Sequence, residues 1–290
     1  MDIISKMREG LLNPCHNLYK ILKTNAPIWW KALKEDNDLY IEIRKGNVID
    51  VYYLGGRMAE IKCNRKKNLV VTAHPKYLGY VNEKDKRYYR EGKRKGKVVN
   101  TPIYQECSDW LLDRRDELKA NIQKYYSGVS EGENTSEKYI QGNLILNGRD
   151  KYLDSEFAHR LYEGKLNTIR IDLVKIENGL VVFEELKRIR DSRLRKLDGD
   201  PEILDQIRNY REFIKVNKEV LTKYYRMLYQ IKRDLKLPIP IVANIDNIEI
   251  NPEPQLLIAQ NYDKITKDRE KRICDIENIL DTIKVTPNYC

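Results

Sequence analysis

The chain has 290 residues, 41% hydrophobic and 34% charged, with 54 Lys and Arg against 44 Asp and Glu for a formal net charge of +10. That length buries a full core and leaves room for two domains, and the basic balance suits polyanionic partners rather than a membrane, since no apolar run approaches the ~20 residues of a span. Five scattered cysteines without a C-x-x-C pair argue against structural zinc or an iron–sulfur cluster and for reduced thiols in a cytoplasmic protein.

The opening MDIISKMREGLLNPC lacks the basic segment and long apolar block of a secretory leader. A short amphipathic helix is predicted around residues 15 to 24. In LYIEIRKGNVIDVYYLGGRMAEIKC, residues 39 to 63, Leu39, Ile41 and Ile43 alternate with polar neighbours, as do Ile49, Val51 and Tyr53. The pattern predicts a β-meander turning at Lys45-Gly46-Asn47 and Gly55-Gly56 and continued by residues 68 to 71. Trp29 and Trp30 read as core of this domain.

Residues 83 to 97, EKDKRYYREGKRKGK, hold eight basic and three acidic side chains. The run reads as a basic loop. Charge runs are usually solvated, yet Tyr88 and Tyr89 among the cations also suit stacking and phosphate contact, with Lys93, Arg94, Lys95 and Lys97 as candidates. A helix from about Asp109 to Tyr126 follows, with Ser108 as N-cap and Trp110, Leu111, Leu118 and Ile122 on its buried side. SGVSEGENTS, residues 127 to 136, reads as a linker, dividing a β-rich N-terminal domain (1–130) from a second domain (136–290). A homo-oligomer contact or a protein partner is a further expectation for the first domain.

The second domain is predicted as a helix near 136 to 146, an extended segment near 152 to 162, the strands TIRIDLVKIE and GLVVFEELKRI, a long helix from Pro201, a strand from Gln255 and a last helix. Glu177-Asn178-Gly179 joins the two strands in a tight hairpin. Side chains two apart share a strand face, so Glu185 and Lys187 stand together, and the hairpin brings Asp172 near the level of Glu184 and Glu185. Carboxylates and an ammonium inside an apolar strand need partners or a metal. Two converging carboxylates favour Mg²⁺ or Mn²⁺, and a neighbouring lysine can act on a water or steady a phosphate. The plain alternative is a salt bridge on a half-exposed sheet.

Asp172 followed by Glu185-Leu186-Lys187 resembles the signature of the PD-(D/E)XK nuclease superfamily. In DPEILDQIRNYREFI, residues 200 to 214, Asp200 reads as N-cap and Pro201 as the first helical residue, with Ile203, Ile207, Tyr210 and Ile214 as the buried stripe. Gln206-x-x-x-Tyr210 there is similar to the Q-x-x-x-Y motif of the RecB-like branch. The resemblance covers residues 136 to 290 and implies an α/β fold of α+β type, a restriction-endonuclease-like mixed sheet flanked by helices. It implies a metal-dependent nuclease acting on DNA rather than RNA, with Asp172 and Glu185 as metal ligands, Lys187 as catalytic, and Gln206 and Tyr210 placing the scissile strand. An additional acid is expected from the helix before the hairpin, as Glu137 or, in competition, Glu156. Arg188 and Arg190, in a cluster with Arg193, Arg195 and Lys196, lie where a phosphate backbone would pass. A binding or scaffold protein of the same fold without catalysis is the alternative. His159 reads as structural rather than a ligand.

Overall fold

The computed structural model describes residues 12–73, 77, 89–94, 97–102, 105–106, 110–126, 135–160, 168–195, 200–260 and 264–290. The protein is mixed α/β. It divides into two compact units: residues 1–128, 142–147 and 230–238 form one, and residues 129–141, 148–229 and 239–290 the other.

In the first unit, helices α1 (Asn17–Thr24) and α2 (Ile28–Glu35) precede a five-stranded antiparallel sheet. Its strands run β1 (Leu39–Arg44), β2 (Val48–Tyr53), β3 (Gly56–Cys63), β4 (Leu69–Ala73), and β7 (Gln105–Glu106) at the edge. Gly46 and Asn47, then Leu54 and Gly55, take positive φ at the two expected turns, the left-handed geometry that matches strand twist in a hairpin. Ile43, Ile49, Val51, Ala59, Ile61 and Val71 are buried on one face of the sheet, and Trp29 and Trp30 of α2 are buried as well. On the other face Glu42, Asp50 and Glu60 stand directly opposite one another across three strands. Like charges so placed repel. Lys232 answers Glu42 at 2.8 Å, Arg44 answers Asp50 at 3.4 Å and Arg57 answers Glu60 at 2.7 Å.

The basic run differs from its predicted loop. Residues Tyr89–Arg94 form β5 and Lys97–Pro102 form β6, paired antiparallel as a separate two-stranded ribbon. Lys93, Arg94 and Lys97 therefore sit on strands, while Lys95 lies outside the described residues. The predicted single helix to Tyr126 is two helices, α3 (Trp110–Asp113) and α4 (Arg115–Tyr126), and Ser108 lies outside the described residues.

The second unit is built on a six-stranded mixed sheet. Helix α5 (Glu137–Asn147) leads into β8 (Tyr152–Arg160), β9 (Thr168–Glu177) and β10 (Leu180–Arg188), an antiparallel meander. Helices α6 (Glu202–Val216) and α7 (Lys218–Asp234) then lead to β11 (Glu249–Ile250) and β12 (Gln255–Ala259), both parallel to β10. Helix α8 (Lys267–Asp281) precedes β13 (Asn288–Tyr289), which pairs parallel with β12. A parallel neighbour requires such a long crossover, and it closes both edges of β10. Ile189, Ile203, Ile207, Leu256, Ile258, Ile276 and Leu280 form one apolar cluster beneath α6 and α8.

Two helix boundaries depart from the sequence reading. Pro201, with φ −60° and ψ 139°, is itself the cap residue and α6 begins at Glu202, so Asp200 does not cap it. The long helix from Pro201 breaks at Asn217, whose backbone leaves the helical region at φ −106°, ψ 14° and whose side-chain amide donates to the Phe213 carbonyl at 2.8 Å. Among the described residues no helix is long and apolar enough to cross a membrane.

One glycine within the first unit allows a close backbone approach. A Cβ on Gly142 would stand 2.6 Å from the Gly55 amide nitrogen and 3.1 Å from the Leu54 carbonyl carbon, both main-chain atoms held by the β2–β3 turn. Helix propensity alone favours Ala over Gly by about 1 kcal/mol, whereas overpacking against fixed backbone costs about 1–3 kcal/mol or more. The clash dominates, so Gly142→Ala is expected to lower the thermal midpoint; a raised midpoint would show that helix and turn can separate freely.

Candidate active site

Strand β10 is buried from Val181 to Lys187 on both of its faces. Such strands read as continuous apolar runs, and this one does until Glu184. The hairpin turn at Asn178 and Gly179, with φ +50° and +80°, sets the register Leu180↔Glu177 through Glu184↔Leu173. At the next level the Asp172 side chain enters the ladder. The Leu186 amide donates to Asp172 Oδ2 at 3.0 Å, which anchors that carboxylate beside Glu185 and Lys187.

The charges that share this face are paired inside the protein. Lys187, 1% exposed, donates to Glu185 Oε1 in a short contact and to the Leu186 carbonyl at 3.0 Å, with Asp172 Oδ2 at 4.0 Å. Glu185, 3% exposed, accepts from Gln206 Nε2 at 2.5 Å and from the Tyr210 hydroxyl at 2.9 Å. Gln206 Nε2 also donates to the Tyr210 hydroxyl at 2.8 Å. That hydroxyl also contacts the Arg170 carbonyl, so one proton serves two acceptors. The four-residue spacing on α6 stacks Gln206 and Tyr210 one turn apart, both aimed at the same carboxylate. Asp172, Glu185, Lys187, Gln206 and Tyr210 therefore meet at one point. The Gln206–Tyr210 pair grips Glu185 directly.

Burial, reinforced by the Asp172 charge, pushes the Glu185 carboxyl from its ordinary 4.5 to about 7, against the pull of Lys187 and Tyr210. Burial beside Glu185 also holds the Tyr210 phenol well above its ordinary range. Burial raises Glu137, with Lys187 pulling it down and Asp172 pushing it up, so this acid feels the same two charges. Glu137 heads α5, and its nearest cation is Arg193, 3.9 Å away. Its competitor Glu156 is instead ion-paired with Lys138.

The arginine cluster is less available than its sequence suggests. Arg193 makes a double contact with Asp191, at 2.6 and 2.9 Å, so it is an internal partner rather than an unengaged cation. Arg188 is half-buried with Nη1 3.4 Å from the Thr135 carbonyl; Arg190 and Arg195 are exposed, and Lys196 lies outside the described residues. His159 stacks against Phe213 with ring centroids 5.3 Å apart. One residue was missed. Gln141 of α5, 2% exposed, donates to the Asp172 carbonyl at 2.5 Å and fixes the backbone that carries the carboxylate. Its signal was its position four residues after Glu137, on the same helix face.

Asp172 and Glu185 offer hard anionic oxygens to one point, the donor chemistry of a small divalent cation. Among the described residues, no group of three or more His, Cys, Asp or Glu side chains is assembled to hold a metal. Lys187 is the counter-charge to Glu185 in this geometry. The fold and site thus define a mixed α/β protein with a buried carboxylate–ammonium centre on the middle of its sheet. No protein-family model, curated protein or solved structure matches the chain.

The raised Glu185 pKa has a stability consequence with a definite sign. The unfolded chain gives up this proton near 4.5 and the folded chain near 7, so the contribution of Glu185 is fully present below the lower value and is lost as pH rises through the higher. In EDTA, the stability of wild type relative to Glu185→Gln should therefore fall between about pH 4.5 and about pH 8, measured by urea unfolding. A pH-independent difference would mean that Glu185 ionises as an ordinary carboxyl.

Proposed function

We propose that the chain is a divalent-metal-dependent nuclease of the PD-(D/E)XK type, with a restriction-endonuclease-like catalytic unit. The observation that carries this reading is the convergence of Asp172, Glu185, Lys187, Gln206 and Tyr210 from β9, β10 and α6 on one point. A structural salt bridge accounts for Glu185 and Lys187 alone. It does not account for the second carboxylate, Asp172, set 4.0 Å from the same ammonium.

Asp172 and Glu185 would hold Mg²⁺ or Mn²⁺, with Glu137 as the next acid under the same local charges. The bound cation would supply charge stabilisation at the phosphate and a water acidic enough to attack it. Lys187 shares the carboxylates' strand face and can hold the attacking water or steady negative charge on the phosphate. Gln206 and Tyr210 are positioning residues that hold the Glu185 carboxylate in one orientation, and Gln141 does the same for the Asp172 backbone. The excess of basic residues suits a nucleic acid, and the family resemblance favours DNA. Arg188 and Arg190 run on from the site. Lys93, Arg94 and Lys97 of the ribbon, and Lys95 in the same basic run of sequence, would add contact to the nucleic-acid backbone.

The test is cleavage of labelled linear, circular and single-stranded DNA and of RNA with Mg²⁺, Mn²⁺ or EDTA. Cleavage is expected with either metal and none with EDTA. Glu185→Gln and Lys187→Met should each slow it by about 10²-fold or more while binding persists. Binding that is indifferent to metal, with no cleavage of any substrate, would make the protein a non-catalytic scaffold.

A further inference from the structure

A second cavity in the C-terminal unit has a chemistry of its own. The one-turn 3₁₀ segment Ser192–Leu194 and helix α8 border an open hollow of about 570 Å³, a volume in the range of small-molecule sites. Its apolar floor is Leu194, Ile276 and Ile279, which belong to or pack on the hydrophobic cluster beneath α6 and α8. Arg195, Lys271 and Arg272 line the same cavity. Residues 268, 271, 272, 275 and 279 follow helical spacing, so α8 turns one face to it.

One of the residues lining the hollow, Arg272, also carries a nitrogen that is shielded from solvent. Arg272 Nη1 is buried and has no hydrogen-bond partner among the described residues. A buried guanidinium donor without an acceptor is costly, and native structures retain such groups where a ligand, ion or water completes them. Arg195 donates one N–H to the Arg190 carbonyl at 2.9 Å, which leaves most of its donor fork uncommitted. Three cations against two exposed carboxylates leave the lining a net positive charge, and the planar guanidinium fork matches phosphate oxygens two at a time. The apolar floor then calls for a flat or hydrophobic group on the same molecule. The exposed Asp268 and Asp275 on the lining offer acceptors for hydroxyl or amino donors.

We propose that this cavity binds a nucleotide, its phosphate on Arg272, Lys271 and Arg195 and its base over Leu194, Ile276 and Ile279. The nucleotide is either a free mononucleotide or the phosphorylated end of a strand. This assignment uses none of the carboxylates of the candidate active site, and it stands or falls separately from the nuclease reading.

The experiment is calorimetric titration of the full chain in EDTA and low salt with AMP, adenosine and inorganic phosphate. AMP should bind, and adenosine about tenfold or more weakly, because it lacks the phosphate. Arg272→Met should lose about tenfold or more of the AMP affinity, whereas Arg208→Met, an exposed arginine paired with Asp205 on α6, should lose none. Arg272→Met is expected to melt at or above the parent temperature, since it deletes an unpaired donor. If it does not fold, Lys271→Gln at an exposed position carries the same tenfold expectation. Competition by oligonucleotides separates the sources: displacement of AMP by a 5′-phosphorylated but not a 5′-hydroxyl strand assigns the strand end, and displacement by neither assigns the free nucleotide. AMP affinity that is undetectable, or equal in wild type and in the folded variant, overturns the proposal.

Discussion

A strand sealed on both faces leaves no water for the charges it carries. That constraint governs the C-terminal unit. From Val181 to Lys187 β10 is buried throughout, and Glu184, Glu185 and Lys187 must be neutralised by what surrounds them. Glu184 faces Lys175 at 2.7 Å on one side of the sheet, while Glu185, Lys187 and Asp172 share the other. The amide of Gln206 and the phenol of Tyr210 complete the second group because a carboxylate without donors would be unaffordable there. The position of α6 over the sheet is thus tied to one acid.

The first unit supplies an internal comparison. Glu42 and Lys232 are also a buried carboxylate and ammonium, 3% and 4% exposed and 2.8 Å apart. Burial of such a pair is therefore not a mark of catalysis in this protein. The Glu185 centre has further members. A second carboxylate lies 4.0 Å from the same ammonium, and two neutral donors from a neighbouring helix grip the acid. Burial first, and then the Asp172 charge, raise the proton affinity of Glu185, and a cation can relieve both by replacing that proton.

Local signals were legible where a single principle decided the outcome. The Asn178-Gly179 turn needs positive φ at both residues, which only a few residue types accept, so the hairpin and its register could be read directly. From that register the shared face of Asp172, Glu185 and Lys187 followed, and helical spacing added Gln206 and Tyr210. The rest depended on backbone geometry. Arg193 was read with the basic cluster, and its engagement by Asp191 is set by the local turn. The ribbon of β5 and β6 forms from residues whose charge suggested a solvated loop, because backbone pairing between strands does not require an alternating apolar pattern. The breaks at Arg114 and Asn217 interrupt sequences with unbroken helical periodicity, and only the local backbone geometry reveals them. Gln141 shares a helix face with Glu137, but its target is a main-chain carbonyl, which no residue pattern identifies.

The adjacency of Glu184 and Glu185 has a consequence for how this gene can vary. The two acids sit on opposite sides of one strand, each with its own lysine, Lys175 and Lys187. A codon gained between the Asn178-Gly179 turn and Glu184 would exchange their sides, bringing Glu184 to the Gln206–Tyr210 grip while carrying Lys187 away from Asp172. A glutamate would still be present at the centre, but the ammonium would not. Substitutions can therefore drift through residues 180 to 183 as long as they stay apolar, whereas the number of residues there is held constant by both faces at once.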